Sequence, residues 1–346
     1  MNDLKKTGVV NNRMPEWDII KGILMVCVIV GHLEISESVR HYIYAFHMPL
    51  FFLISGYFYK PVKENNMVGG LIRKKANLLL GAYLFIIFLN YIAWILLFRP
   101  SNIFDPIIHI FWSNTIDGLP IAGATWFLTS LFFVFLFAIV LDQINKKIKL
   151  IIIICAIIAG STMQYLHFRF PLGIDCALEG LGFFELGFWI RRKKIVEFLN
   201  QKRLELLGTV SFLISTPLIF VNEMVNFRDM KFACLPVTWI NVILMLVVCF
   251  SFSRLIYKNR NNRLLEFLCC ECEFIGRNTL VFLGFHQLAR WFVIRITNRV
   301  FNIGHIQSDF LHCIINIIGC IIVCQILTYF LNNIKPVKKI LHISII

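Results

Sequence analysis

Four ionisable residues in and beside the first two apolar runs are the strongest candidates for chemistry. Asp18, Lys21 and His32 belong to one run, and His47 opens the next. On a helix, Lys21 and His32 share one face about 16 Å apart. An ionisable residue inside a membrane is costly and is a functional-site candidate by default. Taken singly, Lys21 could instead snorkel to the interface and His32 could be a hydrogen-bonded packing residue.

The composition predicts an integral membrane protein. The 346 residues are 58% hydrophobic and only 16% charged, whereas about a quarter would be charged in a soluble protein. The mean hydropathy is +0.74, and apolar runs long enough to cross a bilayer recur along the chain. The formal charge of +14 does not indicate nucleic-acid binding, because the basic residues form short clusters between the apolar runs.

The apolar runs predict an all-α polytopic bundle of about ten transmembrane helices in the inner or plasma membrane. The predicted spans are 17–35, 43–60, 77–98, 123–141, 149–166, 174–191, 204–221, 235–253, 276–294 and 311–333. Basic residues concentrate in alternate connections, so the positive-inside rule places both termini in the cytoplasm. The first run lacks a small-residue cleavage site and is interpreted as a retained span. The predicted parts are an N-terminal tail at 1–16, a membrane domain at 17–334 and a C-terminal tail at 335–346.

Two further groups of residues have the composition of possible binding sites. Cys269, Cys270 and Cys272 lie close together without a second ligand group at a zinc-like spacing, so no metal site is predicted. Arg290, Arg295 and Arg299 could form a basic stripe beyond the ninth span. That stripe could contact lipid headgroups or an acidic glycan.

The candidate residues sit within motifs that resemble the membrane acyltransferase 3 family, most closely its branch related to fucose 4-O-acetylases. The first motif joins Lys21-Gly22 to Gly31-His32 and continues with the sequence HMPLFFLISGY from His47. Later segments are also similar to the family, namely Trp126-Phe127-Leu128, the stretch from Asp175 to Gly187 with its FFELG, and IGRNTL from Ile275 followed by His286.

The resemblance implies an acyl-CoA donor on the cytoplasmic side, typically acetyl-CoA, with no bound cofactor. It also implies a glycan or lipid-linked sugar as acceptor, so the partners are these substrates and membrane lipids, and no nucleic acid. His32 would act as a general base or carry the acyl group, and the sequence leaves both routes open. The implied site residues are His32 and His47 for catalysis, Lys21, Arg73, Lys74 and Lys75 for the donor, and Trp126, Asp175, Glu185 and His286 for the acceptor.

The predicted function is therefore a membrane O-acyltransferase that acetylates a sugar hydroxyl of a bacterial surface polysaccharide or its lipid-linked precursor. A transporter or flippase of such an intermediate is the alternative. Against it, the sequence shows no pair of glycine- or proline-broken spans in two matching halves. A non-catalytic scaffold gives no reason for Lys21 and His32 to share a face.

Overall fold

A computed structural model describes residues 14–62, 64–112, 119–166, 169–195, 200–301 and 310–344. These residues form α-helices joined by turns and loops. The helices are α1 Pro15–Gly31, α2 Glu37–Tyr44, α3 His47–Tyr57, α4 Asn65–Phe98, α5 Asp105–Trp112, α6 Trp126–Leu141, α7 Lys146–Leu166, α8 Ile174–Arg192, α9 Gln201–Val221, α10 Leu235–Lys258, α11 Arg263–Arg277, α12 Thr279–Phe301, α13 Phe310–Asn332 and α14 Lys335–Ile340. Short 3₁₀ turns lie at Gly123–Thr125 and Pro171–Gly173.

Five helical segments in the described part of the chain are long and apolar enough to cross a bilayer. They are Asn66–Phe98, Gly123–Leu141, Gln201–Val221, Leu235–Lys258 and Leu311–Asn332. The prediction of a helical membrane protein is confirmed. The count of ten spans and the cytoplasmic placement of both termini stay predictions. Most of the predicted N-terminal tail, residues 1–13, lies outside the described residues.

Helix α1 contains the Asp18–Lys21–His32 stripe and begins at a favourable start. Pro15 occupies the first turn, where its missing N–H costs little, and Glu16 and Asp18 lie at the positive end of the helix dipole. The helix ends at Gly31, and His32 is its C-terminal cap. The predicted span 17–35 therefore runs past the helix end into the turn that leads to α2.

The predicted continuous span 43–60 is wrong, because the chain breaks between α2 and α3. Pro49 explains the break, since it has no N–H to offer the carbonyl of Ala45 and its ring would clash with that group in a continuous helix. The helix stops at Tyr44 and restarts at His47. At 1.5 Å per residue, the 11 residues of α3 extend only about 16 Å, roughly half of a bilayer core. Most of α3 is buried, so it is a half-length helix inside the bundle.

Helix α4 begins well before the predicted span 77–98. Its 34 residues start at Asn65, so Arg73, Lys74 and Lys75 lie inside a helix instead of in the expected connecting loop. At 1.5 Å per residue this helix is about 50 Å long, which exceeds a bilayer core and lets its first turns extend beyond the apolar layer.

Asn278 interrupts the predicted span 276–294 and binds the C-terminal segment. It separates the amphipathic helix α11, which the sequence did not predict, from α12. The Nδ2 of Asn278 donates to the Ser344 carbonyl at 3.1 Å, and the Ser344 N–H donates to Asn278 Oδ1 at 2.9 Å. Leu341 and Ile343 are buried. The segment predicted as a tail from 335 is thus packed against the bundle as far as residue 344.

Glycines allow two pairs of helices to approach to backbone contact. A Cβ on Gly56 of α3 would overlap the carbonyl of Phe184, and a Cβ on Gly187 of α8 would overlap that of Leu53. Gly276 of α11 meets the Asp18 carbonyl of α1 in the same way. The absence of side chains at these three glycines lets the facing backbones come into contact.

Candidate active site

A polar cavity of about 220 Å³ lies at the end of α1. His32 and Val28 contribute to it from α1, and His47 and Met48 contribute from the start of α3. Its remaining lining comes from Tyr44, Ala124, Trp126, Asn226, Phe227, Arg228, Asp229, Leu283 and Gln287. The cavity therefore combines two imidazoles with aromatic, amide and charged groups.

A second, apolar cavity of about 120 Å³ adjoins the first along α1. Met48 and Leu283 line both cavities. Lys21 is the one charged residue in the second lining, and the other residues are Met25, Phe51, Ile54, Ser55, Leu79, Phe127, Leu128, Leu131, Thr279 and Leu280. Along α1, Lys21 and Met25 face the apolar cavity and Val28 and His32 face the polar one. The predicted stripe thus follows two neighbouring spaces, with the cation at one end and the imidazole at the other.

The hydrogen bonds of the site histidines determine which ring nitrogen is basic. His32 Nδ1 lies 2.8 Å from the Val28 carbonyl, and His47 Nδ1 lies 2.8 Å from the Ile43 carbonyl. Because a carbonyl oxygen only accepts, each Nδ1 holds the proton, and each Nε2 keeps a lone pair. Both imidazoles in the polar cavity are therefore arranged as neutral bases.

His286 lies next to His32 but does not line the polar cavity. The His286 ring is buried, and its Nδ1 donates to the Phe282 carbonyl at 2.9 Å. Its Nε2 lies 3.4 Å from His32 Nδ1, and the two rings meet edge to face with centroids 4.9 Å apart. His286 was predicted to contact the acceptor. That contact stays a prediction. The structure places His286 Nε2 where it can accept from His32 Nδ1–H and orient that ring.

Lys21 belongs to a charged cluster at the other end of the stripe. Its Nζ lies 2.6 Å from Asp18 Oδ1, and Arg277 Nε lies 3.6 Å from Asp18 Oδ2. About a quarter of the Lys21 side chain stays exposed. Lys21 is thus a paired cation beside the apolar cavity.

The predicted donor triplet on α4 divides into two environments. Lys75 Nζ lies 3.6 Å from the centroid of the Phe135 ring. One turn deeper on the same two helices, Leu79 and Leu131 line the apolar cavity. Lys75 therefore lies one helical turn beyond the lining of that cavity, which includes Lys21. Arg73 and Lys74 are exposed and line neither cavity.

Three further predicted acceptor residues, Trp126, Asp175 and Glu185, also lie in different environments. Trp126 lines the polar cavity, and its contact with an acceptor stays a prediction. Asp175 does not line it. Its buried carboxylate pairs with Arg169, whose guanidinium also donates to the Arg228 carbonyl. Glu185 is more distant, because it pairs with Lys149 at 2.8 Å in a separate polar cluster. Neither Asp175 nor Glu185 lines the polar cavity, and acceptor contact by these residues stays a prediction.

The loop between α9 and α10 supplies site residues that the sequence interpretation missed. Asn226 and Lys231 exchange backbone hydrogen bonds at 2.7 and 2.9 Å, which closes a tight hairpin. The hairpin places Arg228 and Asp229 in the polar cavity. Burial lowers the pKa of the Arg228 guanidinium from its ordinary value, and the adjacent Asp229 carboxylate opposes that change. The sequence shows a polar, charged turn between two apolar helices. Only the folded structure places that turn at the polar cavity.

Comparisons with known proteins identify the family. The profile of the acyltransferase 3 family, described as an acyltransferase domain, matches residues 14–329. The nodulation protein NolL of Mesorhizobium japonicum is 28% identical over 148 residues, which are 39% of this chain and 38% of NolL. The chain thus spans well under half the length of that relative. No solved structure gives a significant match. The fucose 4-O-acetylase branch stays a prediction. The profile match covers most of the chain, including every residue that lines the two cavities, so the chain belongs to the acyltransferase 3 family.

Proposed function

We propose that this protein is an integral membrane O-acyltransferase of a bacterial cytoplasmic membrane. It transfers acetyl from acetyl-CoA to a sugar hydroxyl of a surface polysaccharide or of its lipid-linked precursor. The observation that supports this most is His32, whose basic nitrogen is available in a polar cavity that adjoins an apolar cavity beside Lys21. The family match supports the reaction class.

The proposed chemistry starts at the lone pair of His32 Nε2. A sugar hydroxyl is a poor nucleophile at neutral pH, and a neutral imidazole takes its proton as the oxygen bonds to the acyl carbon. The carbon–sulfur bond then breaks, and the proton passes to the CoA thiolate. His32 Nδ1–H stays hydrogen-bonded to the Val28 carbonyl throughout, which keeps the ring oriented. A route through an acyl-imidazole starts from the same lone pair.

The two cavities suit the two substrates. Apolar walls favour the acyl group and the pantetheine arm of the donor. Lys21 in the lining and Lys75 one helical turn beyond it favour the phosphates of the donor. Tyr44 and Trp126 offer a hydroxyl and an aromatic face to a sugar in the polar cavity. His47, with its own bare Nε2, stands in the same cavity as a second proton acceptor.

Purified protein tests the proposal directly. We expect incubation with radiolabelled acetyl-CoA to transfer label to a suitable glycan, and His32→Ala protein to lack this activity. A transporter would move the glycan without consuming acetyl-CoA. Glycan movement by a protein that neither hydrolyses nor uses acetyl-CoA would contradict the proposal.

Replacing Lys21 tests donor binding. We expect Lys21→Ala to raise the KM for acetyl-CoA about tenfold, which corresponds to about 1.4 kcal/mol, and Lys21→Arg to retain most of the affinity. The fold should persist in Lys21→Ala, because Arg277 still neutralises Asp18. Initial rates at varied acetyl-CoA measure the effect, with the exposed Lys146→Ala as the matched control. An unchanged KM in Lys21→Ala would mean that Lys21 only anchors the helix end.

A further inference from the structure

Gln287 holds its side-chain amide in a fixed orientation beside the polar cavity. It follows His286 on α12 and lines the same cavity as His32. Its Oε1 accepts the backbone N–H of Gly123 at 2.6 Å. An N–H requires an acceptor, so the oxygen of this amide is identified by its partner. The Nε2 group, with two N–H donors, is therefore directed away from the Gly123 N–H.

Gly123 lies close to Arg228 and to the Gln287 amide. A Cβ on Gly123 would lie 3.0 Å from Arg228 Nη1 and 3.5 Å from both Nε2 and Oε1 of Gln287. A side chain at position 123 would therefore crowd the guanidinium and the amide. The absence of a side chain lets both groups lie at the cavity wall, where the Arg228 guanidinium adds positive charge beside Gln287.

We propose that Gln287 Nε2 donates a hydrogen bond to the acyl carbonyl oxygen of the donor as that oxygen becomes negatively charged. The Arg228 guanidinium adds positive charge beside the Gln287 amide, and the absence of a side chain at Gly123 lets both groups keep these positions. This inference rests on the proposed acyltransferase function. It makes Gln287 a catalytic residue for the reaction, with a role that neither the family match nor the sequence motifs assign.

The role follows from the electron movements of the transfer. When the sugar oxygen bonds to the acyl carbon, the carbonyl π pair moves onto the carbonyl oxygen, and His32 Nε2 receives the hydroxyl proton. The tetrahedral intermediate then re-forms the C=O bond and expels the CoA thiolate, which takes the proton from His32. The negative oxygen exists only between these two steps. A donor placed for it stabilises the transition state more than the bound thioester.

The variant Gln287→Glu separates this role from a structural one. Glutamate has the same shape and keeps an oxygen for the Gly123 N–H, but it has no N–H to donate and adds negative charge. We expect kcat to fall about 100-fold or more, the cost of removing one oxyanion donor. The KM for acetyl-CoA and the thermal unfolding temperature should change little. The control variant is Gln143→Glu, which adds the same charge at an exposed position two residues past the end of α6. It should retain wild-type kcat.

A second variant tests the same role in case Gln287→Glu does not fold. Gly123→Ala leaves Gln287 chemically intact but places a methyl group 3.0 Å from Arg228 Nη1 and 3.5 Å from the Gln287 amide, so it should shift these groups and lower kcat while the protein stays folded. Wild-type kcat in folded Gln287→Glu, in a preparation where His32→Ala is inactive, would overturn the role of Gln287 alone. Absence of any transfer by the wild-type protein with acetyl-CoA and a range of glycans would overturn the proposed function and this inference together.

Discussion

Replacing His32 with alanine is expected to reduce acyl transfer by about 10²–10⁴-fold, the usual cost of losing a general base. The loss would be greater if the histidine itself carries the acyl group. The substitution removes the basic Nε2 from the polar cavity and the Nδ1–H that lies between the Val28 carbonyl and His286. His32→Gln should be similarly inactive, because an amide nitrogen is not basic.

The His32 experiment needs proof that the variant is intact. His312→Ala provides the matched control, since His312 lies on α13 and lines neither cavity. Glycan acylation should be measured at equal amounts of membrane-inserted protein, and thermal unfolding in detergent should match that of the wild type. Normal transfer by well-folded His32→Ala protein would remove His32 from the mechanism.

Closing the glycine contact between α3 and α8 is expected to destabilise the whole bundle. Gly56→Ala or Gly187→Ala would place a methyl group against a backbone carbonyl of the facing helix. A backbone cannot move aside as a flexible side chain can, so we expect a loss of about 1–3 kcal/mol or more. Transfer should fall as well, because α3 contributes His47 and Met48 to the cavities.

Gly81→Ala is the control for this prediction. Gly81 also lies in a helix, α4, but a Cβ there meets nothing within 4 Å. Alanine favours a helix over glycine by up to about 1 kcal/mol, so Gly81→Ala should keep or slightly raise the unfolding temperature. Equal unfolding temperatures for all three variants would show that α3 and α8 are not held by this close contact.

The parts of the fold that follow from local pattern were accessible from the sequence. The helix period of α1 placed Lys21 and His32 on one face, and the structure sets them beside adjoining cavities. Gly56 lacks a side chain, and residues of this kind are typical of close helix contacts in membranes. The break before α3 was missed because the apolar run is continuous across Ala45 and Phe46, even though Pro49 forbids a continuous helix there.

The parts that depend on tertiary contacts could not be predicted. Gln287 acquires its orientation from Gly123, which lies 164 residues away. Arg228 reaches the polar cavity only because its hairpin folds over the bundle. Glu185 is an ionisable residue inside an apolar run and needs a partner there, but no local pattern in the sequence identifies Lys149 as that partner or separates both residues from the cavity.

On the proposed function, acetyl-CoA enters the apolar cavity from the cytoplasmic side, the glycan enters the polar cavity from the opposite side, and the two meet at His32. Sealed proteoliposomes test it most directly, with the glycan inside, acetyl-CoA outside, and the fraction of protein with Lys74 outward determined by labelling of Lys74→Cys. We expect acetylated glycan to accumulate inside in proportion to that fraction, and no product when His32 is alanine. Product that forms only when acetyl-CoA and the glycan share one compartment would contradict transfer through the two cavities.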